Sequence, residues 1–281
     1  MSGERRAAQA ALAAAGLRPR KRWGQHFLCD AAVARRIVER ARVGPESVVL
    51  EIGPGLGALT DELAARAGRL YLIEVDRGLA ARLAARYATS PHVTVRTADV
   101  LAAPLAAVVP DSGVTVVANL PYNIATTVVF RLLEARDRFP RAVVMLQREV
   151  AARLTAAPGR SGWGVAAALI QSFADVELAF AVPRRAFLPP PRVESAVVEI
   201  RWRAEPRVAI EDEAAYRAVV RAAFGQRRKM LRNALAALAA ARGLDARGLE
   251  AALARAGVAP TARAETLALD DFARLTRALH A

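Results

Sequence analysis

The side chains best suited to chemistry stand together in Asn119-Leu120-Pro121-Tyr122, directly after the apolar run Val114 to Ala118. That run reads as a buried strand, so Asn119 is delivered to the strand's carboxyl end, on a sheet edge. The exocyclic amine of a nucleobase is a poor nucleophile, because its lone pair is delocalised into the ring. Two acceptors, the Asn119 side-chain oxygen and the Leu120 carbonyl, can hold both amine hydrogens and favour a pyramidal nitrogen whose lone pair points at an electrophilic methyl. Pro121 fixes the turn, and Tyr122 offers a ring on which an extruded base can stack. No titratable base is needed, since the amine becomes acidic once methylated and loses its proton to water. Such catalysis works by positioning and electrostatics. Alone, a proline turn of this kind is equally well an ordinary loop, and its weight depends on the elements around it.

Those elements are organised by Val48 to Thr60, VVLEIGPGLGALT. The apolar run Val48 to Ile52 predicts a buried strand, Gly53, Gly55 and Gly57 a tight turn, and Ala58, Leu59, Leu63 and Ala64 a helix face. Glycine there lets the chain take φ values closed to other residues and lets a ligand approach bare backbone. Gly53, Gly55 and Ala58 satisfy the dinucleotide pattern G-x-G-x-x-G/A, and Glu74 lies about twenty residues on, where such folds place a ribose-binding carboxylate. Glu74 ends the run Leu70 to Ile73 and can accept two hydrogen bonds from a ribose diol. Asp76 is the alternative acid, or a plain helix cap. Asp99, after Val93 to Thr97, can accept from an adenine amine or serve as an ordinary loop carboxylate.

The core alternates strand and helix, the pattern of a doubly wound parallel sheet. Strands are predicted near 48–52, 69–74, 93–97, 114–118 and 141–147, and helices near 58–66, 77–88, 124–134 and 148–155. Asp30 caps a helix reaching about Arg42. Strands near 176–182 and 194–202 close the sheet as an antiparallel edge hairpin, reached by a helix from Val165. Beyond Pro206 the pattern is helical, near 211–223, 227–241, 246–256 and 269–279. The division is a basic arm over 1–23, an α/β domain over 24–205 and a small all-helical domain over 206–281.

The net charge of +14 is unevenly spread: residues 1–42 hold 10 basic and 3 acidic side chains, 43–179 hold 13 and 13, and 180–281 hold 18 and 11. A neutral centre between two basic flanks points to a polyanion such as RNA or DNA, the alternative being the solvated surface of an Arg-rich protein. Arg227, Arg228, Lys229 and Arg232 crowd one to two turns of a predicted helix, which suggests phosphate contacts and salt-sensitive RNA affinity, or else a solvated face. No apolar run has membrane-spanning length, and the start lacks a signal peptide's aliphatic core. With a single cysteine, Cys29, no intramolecular disulfide forms, and the scattered His26, His92 and His280 suggest no metal site. A cytoplasmic monomer is the simplest expectation.

Taken together, EIGPGLG, Glu74, Ala98-Asp99 and NLPY resemble the S-adenosylmethionine-dependent adenine-amine methyltransferases, and Gly24-Gln25-His26-Phe27-Leu28 resembles the opening motif of the ribosomal RNA adenine dimethyltransferases. Phe187-Leu188-Pro189-Pro190-Pro191-Arg192-Val193-Glu194-Ser195 is similar to that family's F-x-P-x-P-x-V-x-S segment. Phe224 to Asn233 resembles its F-x-x-R-R-K-x-L-x-N helix, and Arg263-Ala264-Glu265 with Leu267 its closing R-A-E-x-L. The likeness runs from about Gly24 to Leu275. It implies a Rossmann-like fold with a mostly parallel seven-stranded sheet, an antiparallel edge and a helical C-terminal domain that binds RNA. It implies S-adenosylmethionine held by His26, Leu28, Gly53, Gly55, Glu74, Asp99 and Asn119, and a target adenine held by Asn119, Leu120, Pro121, Tyr122 and Phe187. Phe187 can equally pack beneath the proline loop. His26 stands where many members carry Asn.

NLPY and FGQRRK favour the small-subunit type, which dimethylates two adjacent adenosines near the 3′ end of 16S rRNA during small-subunit biogenesis. The large-subunit, antibiotic-resistance type is the nearest alternative. A non-catalytic RNA-binding assembly factor and a nucleotide-dependent oxidoreductase are the others, and NLPY has no role in hydride transfer.

Overall fold

The computed structural model describes residues 6, 9–10, 12–13, 24–226 and 229–280. The basic stretch Arg18 to Arg22 and the predicted phosphate ligands Arg227 and Arg228 lie outside the described residues. Contacts divide the chain into two compact units, Met1–Ala151 with Glu177–Trp202, and Ala152–Val176 with Arg203–Ala281.

The first unit is built on a seven-stranded sheet. After β1 (Phe27–Leu28) and α1 (Ala31–Ala41), capped by Asp30, come β2 (Val48–Ile52), α2 (Ala58–Ala64), β3 (Arg69–Glu74), α3 (Arg77–Arg86), β4 (Val93–Thr97) and the short α4 (Leu105–Val108). Then follow along the chain β5 (Thr115–Asn119), α5 (Ala125–Glu134), β6 (Arg141–Gln147), α6 (Arg148–Leu154), α7 (Val165–Phe173), which belongs to the second unit, β7 (Ala174–Val182), β8 (Phe187–Leu188) and β9 (Ser195–Trp202). Their order is β4-β3-β2-β5-β6-β9-β7. Strands β2 to β6 pair in parallel, with Ile52 level with Ile73 on one side and Ala118 on the other. The chain winds outward one way from β2 and the other way from β5, and ligands bind where the two directions part. Gly53 and Asn119 both stand there.

Strand β9 runs antiparallel to β6, with Gln147 level with Ser195. It therefore lies inside the sheet, and β7 takes the edge. A second, two-residue ribbon pairs β1 with β8, Phe27 opposite Leu188 and Leu28 opposite Phe187.

Glu199 of β9, buried at 1% exposure, fastens α1 to this sheet. It receives Arg40 of α1, Arg141 of β6 and Arg201. Arg141 also donates to the carbonyls of Arg40 and Ala41 at 2.7 and 3.0 Å, covering the C-terminal end of α1. Burial opposes ionisation of Glu199, but the three guanidiniums outweigh it and hold the carboxyl below its ordinary value. The helix so fixed leads directly out of the segment that carries His26.

In the second unit, α8 (Glu213–Gly225) is capped by Asp212, and α9 (Leu231–Ala234), α10 (Ala236–Ala240), α11 (Ala246–Arg255) and α12 (Leu269–Ala278) follow. This unit also takes in residues before 205, because α7 packs with these helices. Phe173 meets Tyr216 edge-on at 6.4 Å, and Ser172 shares a 2.7 Å hydrogen bond with the Tyr216 hydroxyl. The single helix expected over 227–241 is corrected. It starts at Leu231, since the N–H groups of Leu231 and Arg232 donate to the carbonyls of Ala262 and Pro260 instead of to residues four back. Lys229 stands before the helix and Arg232 in its first turn, both exposed. No helix among the described residues is long and apolar enough to cross a membrane.

Candidate functional site

A cavity opens at the carboxyl ends of β2, β3, β4 and β5. Its floor is the glycine turn, where Gly53, Gly55 and Gly57 have φ of +68°, +58° and +92°. A Cβ at Gly55 would lie 2.9 Å from Phe27 Cδ1, so close approach as well as conformation excludes a side chain. Glu74 ends β3 at 4% exposure and ties this turn together: one carboxylate oxygen accepts from Gly55 N–H at 3.0 Å, the other from Asp76 N–H at 2.9 Å. Burial raises the Glu74 pKa, while these backbone donors pull it down, and the net shift is upward. Asp76 spends its side chain on the N–H groups of Gly78 and Leu79 as the cap of α3, and it does not line the cavity. Asp99 does line it, with one oxygen accepting from Leu101 N–H at 2.8 Å.

Asn119 closes β5, one residue later than the predicted strand end. Its amide nitrogen donates to the His26 carbonyl at 3.1 Å. Because a carbonyl only accepts, that bond sets the orientation of the amide and turns Oδ1 away from His26 as an acceptor. His26 is itself fixed twice more: Nδ1 meets the Pro189 carbonyl at 2.8 Å, and the ring stacks on Tyr122 with centroids 5.3 Å apart and planes 28° apart. The Tyr122 hydroxyl lies 2.7 Å from Ser195 Oγ. Burial raises the phenol's pKa, so Tyr122 stays neutral.

The structure thus brings His26, Leu28, Gly53, Gly55, Glu74, Asp99, Asn119, Leu120, Pro121 and Tyr122 to one cavity. It does not bring Phe187 there. That ring is fully buried in β8, in the apolar core with Leu28, Ile37 and Val197, so packing beneath the proline loop is its observed place. Lys229 and Arg232 belong to the second unit. Among the described residues no group of three or more His, Cys, Asp or Glu is arranged to hold a metal ion.

Two further residues, Ser195 of the proline-loop motif and Glu51 at the carboxyl end of the first core strand, stand in the sequence without a role and gain one from their surroundings. Ser195 opens a buried strand with a hydroxyl. Glu51 places a carboxyl inside the apolar run of β2, where it is 1% exposed and lines the cavity. Burial pushes that carboxyl up to about 8, the 2.7 Å bond donated by the Thr60 hydroxyl opposes the shift, and the charges of Asp61 and Glu74 add to it. A folded-state pKa above the unfolded value means the native state binds the extra proton, so stability falls as pH rises from about 4.5 to about 8. Without cofactor, Glu51→Gln is expected to flatten the midpoint-against-pH curve in this window and to gain stability at pH 8. Superimposable slopes for the two proteins in thermal melts would defeat this.

The family model for ribosomal RNA adenine dimethylase matches residues 16–280. The ribosomal RNA small subunit methyltransferase A of Syntrophotalea carbinolica is 45% identical over 260 residues, covering 92% of this chain and 96% of that protein. The protein of the same name from Geobacter sulfurreducens is 44% identical over 267 residues, covering 94% and 96%. Among solved structures, the 23S rRNA methyltransferase ErmE superposes with a TM-score of 0.66 at 32% identity, covering 91% of this chain and all of that one. A dimethyladenosine transferase from Plasmodium falciparum has a TM-score of 0.73 at 24% identity, covering 89% and 96%, and supports the fold.

Proposed function

The chain belongs to the ribosomal RNA adenine dimethylase family, and we propose on that basis that it dimethylates the exocyclic amines of two adjacent adenosines near the 3′ end of 16S rRNA in the assembling small subunit. The choice of subunit rests on identity: 45% and 44% to relatives named for the small subunit, against 32% to ErmE. We read the protein as a cytoplasmic monomer.

The cavity suits S-adenosylmethionine. At Gly53, where a Cβ would meet nothing nearer than Pro121 at 3.8 Å, the turn leaves backbone open to a ligand, and both Glu74 oxygens keep lone pairs for a ribose diol after accepting from Gly55 and Asp76. Asp99 has an oxygen beyond its Leu101 bond for the adenine amine, and His26 and Leu28 also line the cavity. When bound, this cofactor supplies a methyl on a sulfonium, which needs no further activation.

The observation that carries the proposal is the set orientation of the Asn119 amide. With Nδ2 committed to the His26 carbonyl, Oδ1 is an acceptor prepared before substrate arrives, and the Leu120 carbonyl beside it is the second. The two hold the amine hydrogens and leave the nitrogen lone pair free for attack. With the cofactor bound, the N–C bond would form as the sulfonium's S–CH3 bond breaks and its electron pair leaves with sulfur as a neutral thioether. The positive charge thus taken on by the amine would be discharged by loss of a proton to water, giving a neutral, monomethylated nitrogen with one hydrogen. That hydrogen still has an acceptor, so a second transfer follows the same course. Tyr122, neutral and half-buried, provides the stacking face. Exposed Lys229 and Arg232, with Arg227 and Arg228, are read as phosphate ligands of the helical unit.

The test is transfer of labelled methyl from S-adenosylmethionine to unmodified small subunits, with large subunits and free RNA in parallel, followed by nucleoside analysis. Dimethyladenosine from small subunits is expected. Label confined to large-subunit RNA would move the chain to the resistance type, and binding without label would make it an assembly factor.

A further inference from the structure

The Tyr122 hydroxyl and Ser195 Oγ lie 2.7 Å apart, and Ser195 has no exposed surface. A hydroxyl sealed from water has to find its partner within the protein, so this bond is a strong constraint on both groups. It also engages the phenol oxygen. The flat face that Tyr122 offers a base is its ring, and the ring is held from two directions. Its hydroxyl is tied to the first residue of β9, while one face lies against His26, whose Nδ1 is bound to the Pro189 carbonyl. Pro189 and Ser195 are the two ends of the segment joining β8 to β9. One end of this segment therefore grips the His26 ring and the other grips Tyr122, while the His26 carbonyl receives Asn119.

We propose that Ser195 is a positioning residue for methyl transfer: its hydroxyl holds the Tyr122 ring at a set distance from the Asn119 acceptor three residues before it, and the second methylation of each adenine depends on it more than the first. The proposal rests on the function argued above. The reason for the asymmetry is the number of hydrogens. The unmodified amine offers two and is oriented by two acceptors, whereas the monomethylated amine offers one and is oriented by one acceptor and the stacking ring. Loosening the ring thus costs the second step more.

Single-turnover methylation of unmodified small subunits, with separate quantitation of monomethyl- and dimethyladenosine, tests this for the parent, Ser195→Ala, Tyr122→Phe and the double variant. Ser195→Ala is expected to slow the second transfer by about tenfold, the scale of one buried hydrogen bond, so that monomethyladenosine accumulates. Calorimetric affinity for S-adenosylmethionine is expected to stay within about twofold, which a general loss of structure would not allow. Tyr122→Phe removes the same bond with little change in volume and should give the same product ratio, so the test survives poor folding of the serine variant. The double variant should be no worse than either single one. A parental product ratio in both single variants overturns the proposal, as do losses that multiply in the double variant. Failure of the parent itself to produce dimethyladenosine would instead overturn the functional assignment.

Discussion

Asn119→Ala is expected to lower single-turnover methyl transfer by about a hundred- to a thousandfold, the range seen when one preorganised hydrogen-bonding group is removed from a catalytic site. The loss arises twice. Alanine deletes the Oδ1 acceptor that holds an amine hydrogen, and it strips the His26 carbonyl of its 3.1 Å donor, loosening the segment that also stacks on Tyr122. Cofactor affinity should change far less, because Glu74 is bonded to Gly55 and Asp76 N–H groups and Asp99 to Leu101 in its own loop, none of them through Asn119. Asn119→Asp separates the two contributions. It keeps acceptor oxygens but faces the His26 carbonyl with a second acceptor, so it should remain severely impaired. Rapid-quench assays and calorimetry on the same preparations decide the matter. Turnover within a few fold of the parent in the alanine variant would remove Asn119 from the chemistry.

The parts of this site that the sequence discloses are those in which local pattern and chemistry coincide. Val48 to Ile52 followed by Gly53, Gly55 and Gly57 can be little else than a buried strand and a left-handed turn, and its observed bounds match those expected. Glu74 and Asn119 are visible because each polar group ends an apolar run. Contacts between residues far apart in the chain are different. The β1–β8 ribbon joins two-residue strands about 160 positions apart, too short to show any alternation. Phe187 offers an aromatic ring that fits a core as well as a base, and only its pairing opposite Leu28 shows that it is turned inward. The alanine-rich stretch after Gln226 predicts a continuous helix from propensity, yet the carbonyls of Pro260 and Ala262 capture its first N–H groups and delay the helix to Leu231. Ser195 is legible as a motif letter, but its bond to Tyr122 requires β9 to lie beside β6.

Glu74→Ala should weaken S-adenosylmethionine binding by about a hundredfold or more, since hydrogen bonds to a charged acceptor contribute about 1.5–3 kcal/mol each. Two effects combine. The diol acceptors disappear, and the buried N–H groups of Gly55 and Asp76 lose the carboxylate that holds the turn in its open form. Glu74→Gln should recover little, because its NH2 would have to face one of those two N–H donors. The upward shift of the Glu74 carboxyl adds a pH signature: protonation turns one acceptor into a donor, so cofactor affinity should fall as the solution is made more acidic, and it should not do so in the alanine variant. Asp76→Ala is the necessary contrast, because it removes the α3 cap, at a cost of about 1 kcal/mol of stability, and leaves the backbone N–H that Glu74 accepts from. Its cofactor affinity should stay close to the parent's. If calorimetry gave the large loss to Asp76→Ala and left Glu74→Ala unaffected, the ribose carboxylate would have to be reassigned to a residue that caps a helix and does not line the cavity, and the geometric basis of the cofactor site would fall with it.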